Sequence, residues 1–216
     1  MSSPEVTTHS KSNAISTINT RGNGLHHPFM SLANDAGIGL RMGISIPGLT
    51  TRGHAMDHVV HSVPSGVIES LRAIFEALRG DTGILANKRL TMIVPDLVHQ
   101  ATGTLVEVDE VQHFTSARLA TLRLYPPTMS LGFDLNEYMA LVERWRAKGD
   151  RAFAHKTARE FPGQAGRQRQ RAYLDAARDL LAPHLTGRPV IRIAAPDRSL
   201  GGAVATLQAH LSSAAA

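Results

Sequence analysis

Apolar positions recur at helical spacing in five stretches of the chain and run almost unbroken in three shorter ones. From residue 65 to 79, Val67, Ile68, Leu71, Ile74, Phe75 and Leu78 fall three or four positions apart, the period of one helix face. Ser65 reads as the N-cap of this helix and Gly80 as its stop. The spacing predicts further helices over 116–124 (closed by Pro126-Pro127), over 168–185 and over 201–212. A fifth, over 136–148, carries Tyr138, Leu141, Val142 and Trp145 on one side. The apolar runs 90–98 and 104–111 flank Gln100-Ala-Thr-Gly103 and read as a β-hairpin, with Gly103 taking the positive φ of a tight turn. Beyond Gly187 and Pro189, residues 190–194 read as a buried strand. The order helix, hairpin, helices, strand, helix describes an α/β or α+β domain around a small mixed sheet.

The first 65 residues differ: they are rich in Ser, Thr, Asn, Gly and His and hold seven Asp, Glu, Lys or Arg. Residues 1–24 are expected to be poorly ordered, because so little apolar surface cannot offset the entropy of ordering them. Residues 40–50 read as a short strand or extended arm. The expected organisation is a polar N-terminal arm, 1–64, and an α/β domain, 65–216.

Composition narrows the classes. Of 216 residues 43% are hydrophobic but only 5% aromatic, so the core is expected to be aliphatic and alanine-rich. Cysteine is absent, which excludes disulfide frameworks, thiolate zinc sites and cysteine nucleophiles. No apolar run reaches the ~18–20 residues of a membrane span, and no basic segment precedes an apolar one at the N-terminus. A cytoplasmic address without membrane contact is expected. The net charge of +5 is unevenly spread: residues 141–198 hold 13 Lys or Arg, eleven of them Arg, against 6 Asp or Glu, whereas residues 1–140 hold 10 against 12. Arginine's planar fork suits phosphate. A basic block beside a slightly acidic one points to a polyanion partner, the alternative being a solvated basic helix.

Candidate chemistry sits on the hairpin. Asp96 and Glu107 lie on its two strands, and Glu107 and Asp109, two apart, project to the same face. Two charges ~4 Å apart repel by ~4 kcal/mol at an effective dielectric near 20, a cost that a divalent cation reverses. Such an ion activates water and neutralises charge on a phosphodiester. Gln112 and His113 follow the strand, and a histidine there can act as general base or acid. Alternating acids on a strand are otherwise simply its solvated face.

Pro95-Asp96 followed by Glu107-Val-Asp109 resembles the PD-(D/E)XK nuclease superfamily, whose motif is an acid on one strand and Glu-x-Lys on the next. Val106-Glu-Val-Asp-Glu-Val-Gln-His-Phe114 is similar to the "hydrophobic-Glu-x-Asp-(Gly)-x-x-His" strand of very-short-patch-repair-like endonuclease domains. Tyr173-Leu-Asp-Ala-Ala-Arg178-Asp179 and Val190-Ile-Arg-Ile193 resemble that family's "Asp-x-x-Arg-Asp" helix and "Val-x-Arg-hydrophobic" strand. The resemblance covers residues 65–195. It implies a restriction-endonuclease-like fold, a mixed central sheet flanked by helices, and Mg²⁺-dependent cleavage of DNA in a bacterial cytoplasm, with Mn²⁺ able to substitute. It implies Asp96, Glu107, Asp109 and Glu69 as metal ligands, Asp109 standing where the superfamily has its catalytic lysine. Gln112 and His113 then assist proton transfer or position the phosphate, and Arg167, Arg169, Arg171, Arg178 and Arg192 hold the DNA. A homodimer or a partner subunit fits the family as well. Three departures keep open a degenerate nuclease fold that binds nucleic acid or scaffolds a complex. Glu110 replaces a glycine, residues 125–167 form a long insertion, and no lysine lies on the motif strand, although Lys88 can reach in from the preceding one.

One other cluster stands apart. His54, His58 and His61 share a face if helical, with Asp57 nearby, and offer a zinc site in a third reading of the chain.

Overall fold

The computed structural model describes residues 24–56, 61 and 63–213. In chain order its elements are α1 (His26–Asp35), β1 (Leu40–Met42), a 3₁₀ turn (Gly53–Ala55), α2 (Ser65–Ala77), α3 (Thr82–Ala86), β2 (Leu97–His99) and β3 (Leu105–Asp109). A 3₁₀ turn (Val111–His113), α4 (Ser116–Leu122), α5 (Leu135–Gly149), α6 (Gly166–Thr186), β4 (Ile191–Ala194), a 3₁₀ turn (Ala195–Asp197) and α7 (Leu200–Ser213) follow. The class is mixed α/β.

The four strands form one mixed sheet in the order β1-β2-β3-β4, antiparallel at the first two pairings and parallel between β3 and β4. Alternation along the strands divides the core in two. Leu97, Val106, Val108, Ile191 and Ile193 pack with Phe29, Ala33 and Leu40 and with Ala203, Val204 and Leu207 of α7. On the other face, Val98 and Leu105 meet the larger core built by α2, α4, α5 and α6. Glu107, Asp109 and Arg192 point to this second face, where every residue of β3 and β4 is buried. The acids are therefore not the solvated face of a strand.

The helices follow the apolar period. Val67, Ile68, Leu71, Ile74 and Phe75 of α2 are buried. Its start differs from expectation: Pro64 is the N-cap, and Ser65 supplies no capping bond. Its end differs too. Arg79, not Gly80, takes the left-handed conformation (φ 56°), while Gly80 is required for space, since a Cβ there would stand 2.3 Å from the Phe75 ring. Asp81, Thr115 and Asp134 cap α3, α4 and α5 with side-chain oxygens that accept from the backbone three residues on.

The hairpin turns at Gly103 (φ 71°), as its sequence required. Its first strand is much shorter than the apolar run, because Met92 forms only an isolated bridge to Thr50 and the β2–β3 ladder begins at Leu97. Just before Leu97, the Asp96 carboxylate replaces a strand partner by accepting the Val108 amide.

Packing does not break at residue 64. Phe29, Ala33, Leu40, Leu49 and Met56 are all core residues, and α1 lies against α7. The poor order expected of residues 1–23 falls outside the described residues, as does His58. Among the described residues no helix is long and apolar enough to cross a membrane.

Candidate active site

Asp96 ends the loop that leads into β2, and Glu107 lies at the centre of β3. Glu107 Oε1 accepts the Asp96 amide at 3.2 Å, and Asp96 Oδ2 accepts the Val108 amide at 2.9 Å. The second oxygen of each carboxylate accepts no hydrogen bond from the described residues. Glu107 is 2% exposed, and its nearest counter-charge is Arg178 of α6, with Nε 3.3 Å from Oε1. Burial pushes the Glu107 carboxyl up to about 7; Arg178 opposes the shift and Asp96 adds to it. Arg178 also pairs with Asp175, so Glu107 has only part of its charge.

Asp109 faces a buried ionic cluster, which Arg178 links to Glu107 through Asp175. Arg192 Nη1 reaches its two oxygens at 2.8 and 3.0 Å, and the Tyr138 hydroxyl donates to it at 2.6 Å. Arg192 Nε donates to Asp179 at 2.7 Å, and Asp179 also accepts from Arg118 at 2.6 Å and from Tyr125 at 2.7 Å. His113 Nδ1 lies 3.0 Å from Asp175 and 3.3 Å from Asp109. Asp109, Asp175 and Asp179 face Arg118, Arg192 and Arg178, with His113 between Asp109 and Asp175. Burial disfavours the imidazolium, yet Asp175 and then Asp109 outweigh it and raise the His113 pKa above the ordinary imidazole value. The same cations hold Asp109 and Asp175 below the carboxylate range against the burial that would raise them.

The carboxylate triad expected from the sequence is therefore a pair. Asp96 and Glu107 come together, whereas Asp109 spends both oxygens on Arg192 and Tyr138. Among the described residues no group of three or more His, Asp or Glu is placed to hold a metal ion. Glu69 is exposed on α2, and no side-chain bond joins it to the pair. Gln112 donates to Glu110 at 2.8 Å, and Glu110 also accepts the Leu25 amide, so the amide side chain is tied away from proton transfer. Lys88 pairs with Glu160 instead of reaching the acids.

The arginines divide similarly. Arg192 is enclosed and spends its guanidinium inside the protein, so it does not meet a phosphate. Arg169 donates to the carbonyls of Leu78, Phe161, Pro162 and Gln164 and fastens the loop before α6. Arg167, Arg171 and Arg178 remain half-buried along one side of α6. His54 is held inside the fold: its Nδ1 bonds the Tyr173 hydroxyl at 2.7 Å inside an aromatic cluster, and burial, with Arg72, lowers its pKa to about 4, while Asp57 and His58 of its sequence cluster lie outside the described residues.

Arg118 and Tyr125 were not singled out by the sequence, and Asp175 entered only as part of the Asp-x-x-Arg-Asp motif, with no role given to it. The available signal was Asp175 and Asp179, four apart on the alanine-lined stripe of α6, where buried acids require buried cations.

No curated protein and no solved structure matches the chain. A family model matches residues 73–213, a span that contains the acid pair, the buried ionic cluster and all of α6 and β4. The chain belongs to that family, DUF7255, a family of unknown function.

Proposed function

We propose that the protein is a divalent-metal-dependent endonuclease of restriction-endonuclease-like fold, hydrolysing DNA phosphodiester bonds at Asp96 and Glu107. One observation carries the reading: two carboxylates, one from the loop entering β2 and one from β3, are held together by reciprocal backbone bonds, each with one oxygen that accepts no hydrogen bond from the described residues. The donor set fits Mg²⁺, which takes one or two carboxylates and leaves its remaining positions to water and substrate phosphate. Bound there, such an ion supplies Lewis-acid stabilisation of the phosphodiester and a water of lowered pKa. Glu107 and Asp96 hold it. Arg178, anchored to Asp175 at 3.0 Å, offers its remaining charge to phosphate. Asp109 and Asp175 favour the protonated form of His113, which in this reading gives a proton to the leaving oxygen.

A second reading has its own observation. Arg178 already stands against Glu107, a cation where a metal would bind, as expected of a degenerate nuclease fold that binds nucleic acid or scaffolds a complex. Incubating the protein with supercoiled plasmid in Mg²⁺, Mn²⁺ or EDTA separates the two. Metal-dependent nicking abolished by Glu107→Gln supports the enzyme; intact plasmid in every condition, with DNA binding retained, supports the degenerate fold.

A further inference from the structure

Arg167, Arg171 and Arg178 stand at intervals of four and seven residues, which places all three on one stripe of α6. At ~1.5 Å per residue the stripe runs ~16 Å. Its far end meets the acid pair, where Arg178 touches Glu107. At its centre Arg171 carries a buried Nη1 with no hydrogen-bond partner among the described residues, and its guanidinium lies over the Phe153 ring at 5.6 Å. The Lys156 ammonium lies 4.4 Å from the same ring. Burial lowers the Arg171 pKa; Asp175 and Glu110 counter this, while Arg167 and Arg178 crowd it with like charge.

The near end opens into a groove of about 800 Å³ lined by Lys88, Arg89, Arg159, Glu160 and Gln170 among others. Lys88 is neutralised by Glu160, but Arg89 and Arg159 are exposed and make no ion pair among the described residues. Gln170 joins groove to stripe: its Nε2 donates to Glu160 at 2.6 Å, and its Oε1 accepts from Arg167. Gln170 thus joins the groove to the near end of the arginine row, and Arg178 joins its far end to Glu107. A line of separated cations fits a polyanion better than one small anion, which would engage a single convergent pocket.

We infer that the groove at Arg89 and Arg159 and the α6 row Arg167–Arg171–Arg178 form a track for the phosphate backbone of a nucleic acid, leading to Asp96 and Glu107. The choice of nucleic acid among polyanions rests on the function proposed above. On this track the solvent-facing part of the half-buried Arg171 guanidinium contacts a phosphate.

Fluorescence anisotropy with a labelled 20-mer, single-stranded and duplex, over 50–300 mM KCl in EDTA tests this without cleavage. Each phosphate contact adds roughly 0.7 (single strand) to 0.9 (duplex) to the salt slope. Arg171→Ala and Arg159→Ala are each expected to lower the slope by about that amount and to weaken duplex binding about eightfold at 0.1 M salt. Arg198→Ala, an exposed arginine bonded to Thr206 of α7 and outside the track, is expected to change neither, and circular dichroism confirms folding of each variant. Unchanged slopes in both track variants, an equal loss in Arg198→Ala, or no binding by the wild type overturns the track. The nuclease reading fails separately: a track with the expected slopes on a protein that never cuts plasmid leaves the binding surface and removes the enzyme.

Discussion

Asp96 and Glu107 each complete the other's strand: the Glu107 carboxylate receives the Asp96 amide, and the Asp96 carboxylate receives the amide of Val108, next to Glu107. The exchange occurs where the β2–β3 ladder stops, so two side chains take over from backbone partners. The acids are thereby fixed side by side, at the cost of a carboxylate pair that Arg178 only partly neutralises.

That cost has a pH signature. With its folded-state pKa near 7 and an ordinary value of 4.5, Glu107 binds a proton more readily in the folded chain. Stability is therefore lost as pH rises from about 4.5 through 7, by on the order of 3 kcal/mol in full. Glu107→Gln keeps an oxygen for the Asp96 amide and carries no charge. Its melting temperature should exceed that of the wild type at pH 8 and converge with it below about pH 4.5. An equal gap at both pH values would show that the glutamate is not strained by its charge.

Asp109 should behave as a structural residue. Asp109→Asn removes the charge opposite Arg192 and leaves a buried guanidinium undercompensated, a change that typically costs about 3–5 kcal/mol. Urea unfolding at neutral pH measures it directly. A loss below about 1 kcal/mol would show that the cluster does not need this carboxylate.

His113 and His54 should titrate in opposite directions. His113 has a raised pKa, so its contribution is fully present below about pH 6.5 and is lost as pH rises through its folded-state value. His54, depressed to about 4, contributes stability above 6.5 that is lost as pH falls toward 4. Proton NMR of the imidazole Cε1–H signals, assigned with His54→Gln and His113→Gln, should show one midpoint above 6.5 and one near 4. Two midpoints near 6.5 would contradict both placements.

Gly43 controls the position of Asp96 from a neighbouring chain segment. Its amide donates to the Asp96 carbonyl at 3.0 Å, and a Cβ at this position would stand 1.7 Å from the Pro95 carbonyl oxygen. Gly43→Ala must push the 95–96 backbone away. It should cost about 1–3 kcal/mol in stability and weaken metal binding, both measurable on the same preparation. Full stability with unaltered metal binding would mean that the loop yields elsewhere.

The sequence announced those parts of the fold that depend on one period or one turn. The α2 stripe from Val67 to Phe75 and the turn at Gly103 are of that kind. Helix α1 was hidden because only Phe29 and Ala33 of its ten residues are buried, too few to mark a period in a polar stretch. At the site, Asp96 and Glu107 were legible as neighbours across a hairpin. The separate fate of Asp109 was not, because it depends on Arg192, Tyr138 and Asp175 arriving from distant elements. Arg118 was equally hidden: inside Ser-Ala-Arg-Leu it reads as a surface cation, and only Asp179 explains its burial.

The central claim is that Asp96 and Glu107 hold a divalent ion without Asp109. Calorimetric titration of Mn²⁺ into the full chain tests it most directly, with Asp96→Asn, Glu107→Gln and Asp109→Asn each confirmed folded at the titration temperature. The account predicts saturable binding in the wild type that is lost in Asp96→Asn and Glu107→Gln and kept in folded Asp109→Asn. Binding that is absent from the wild type, or indifferent to Asp96 and Glu107, would contradict it.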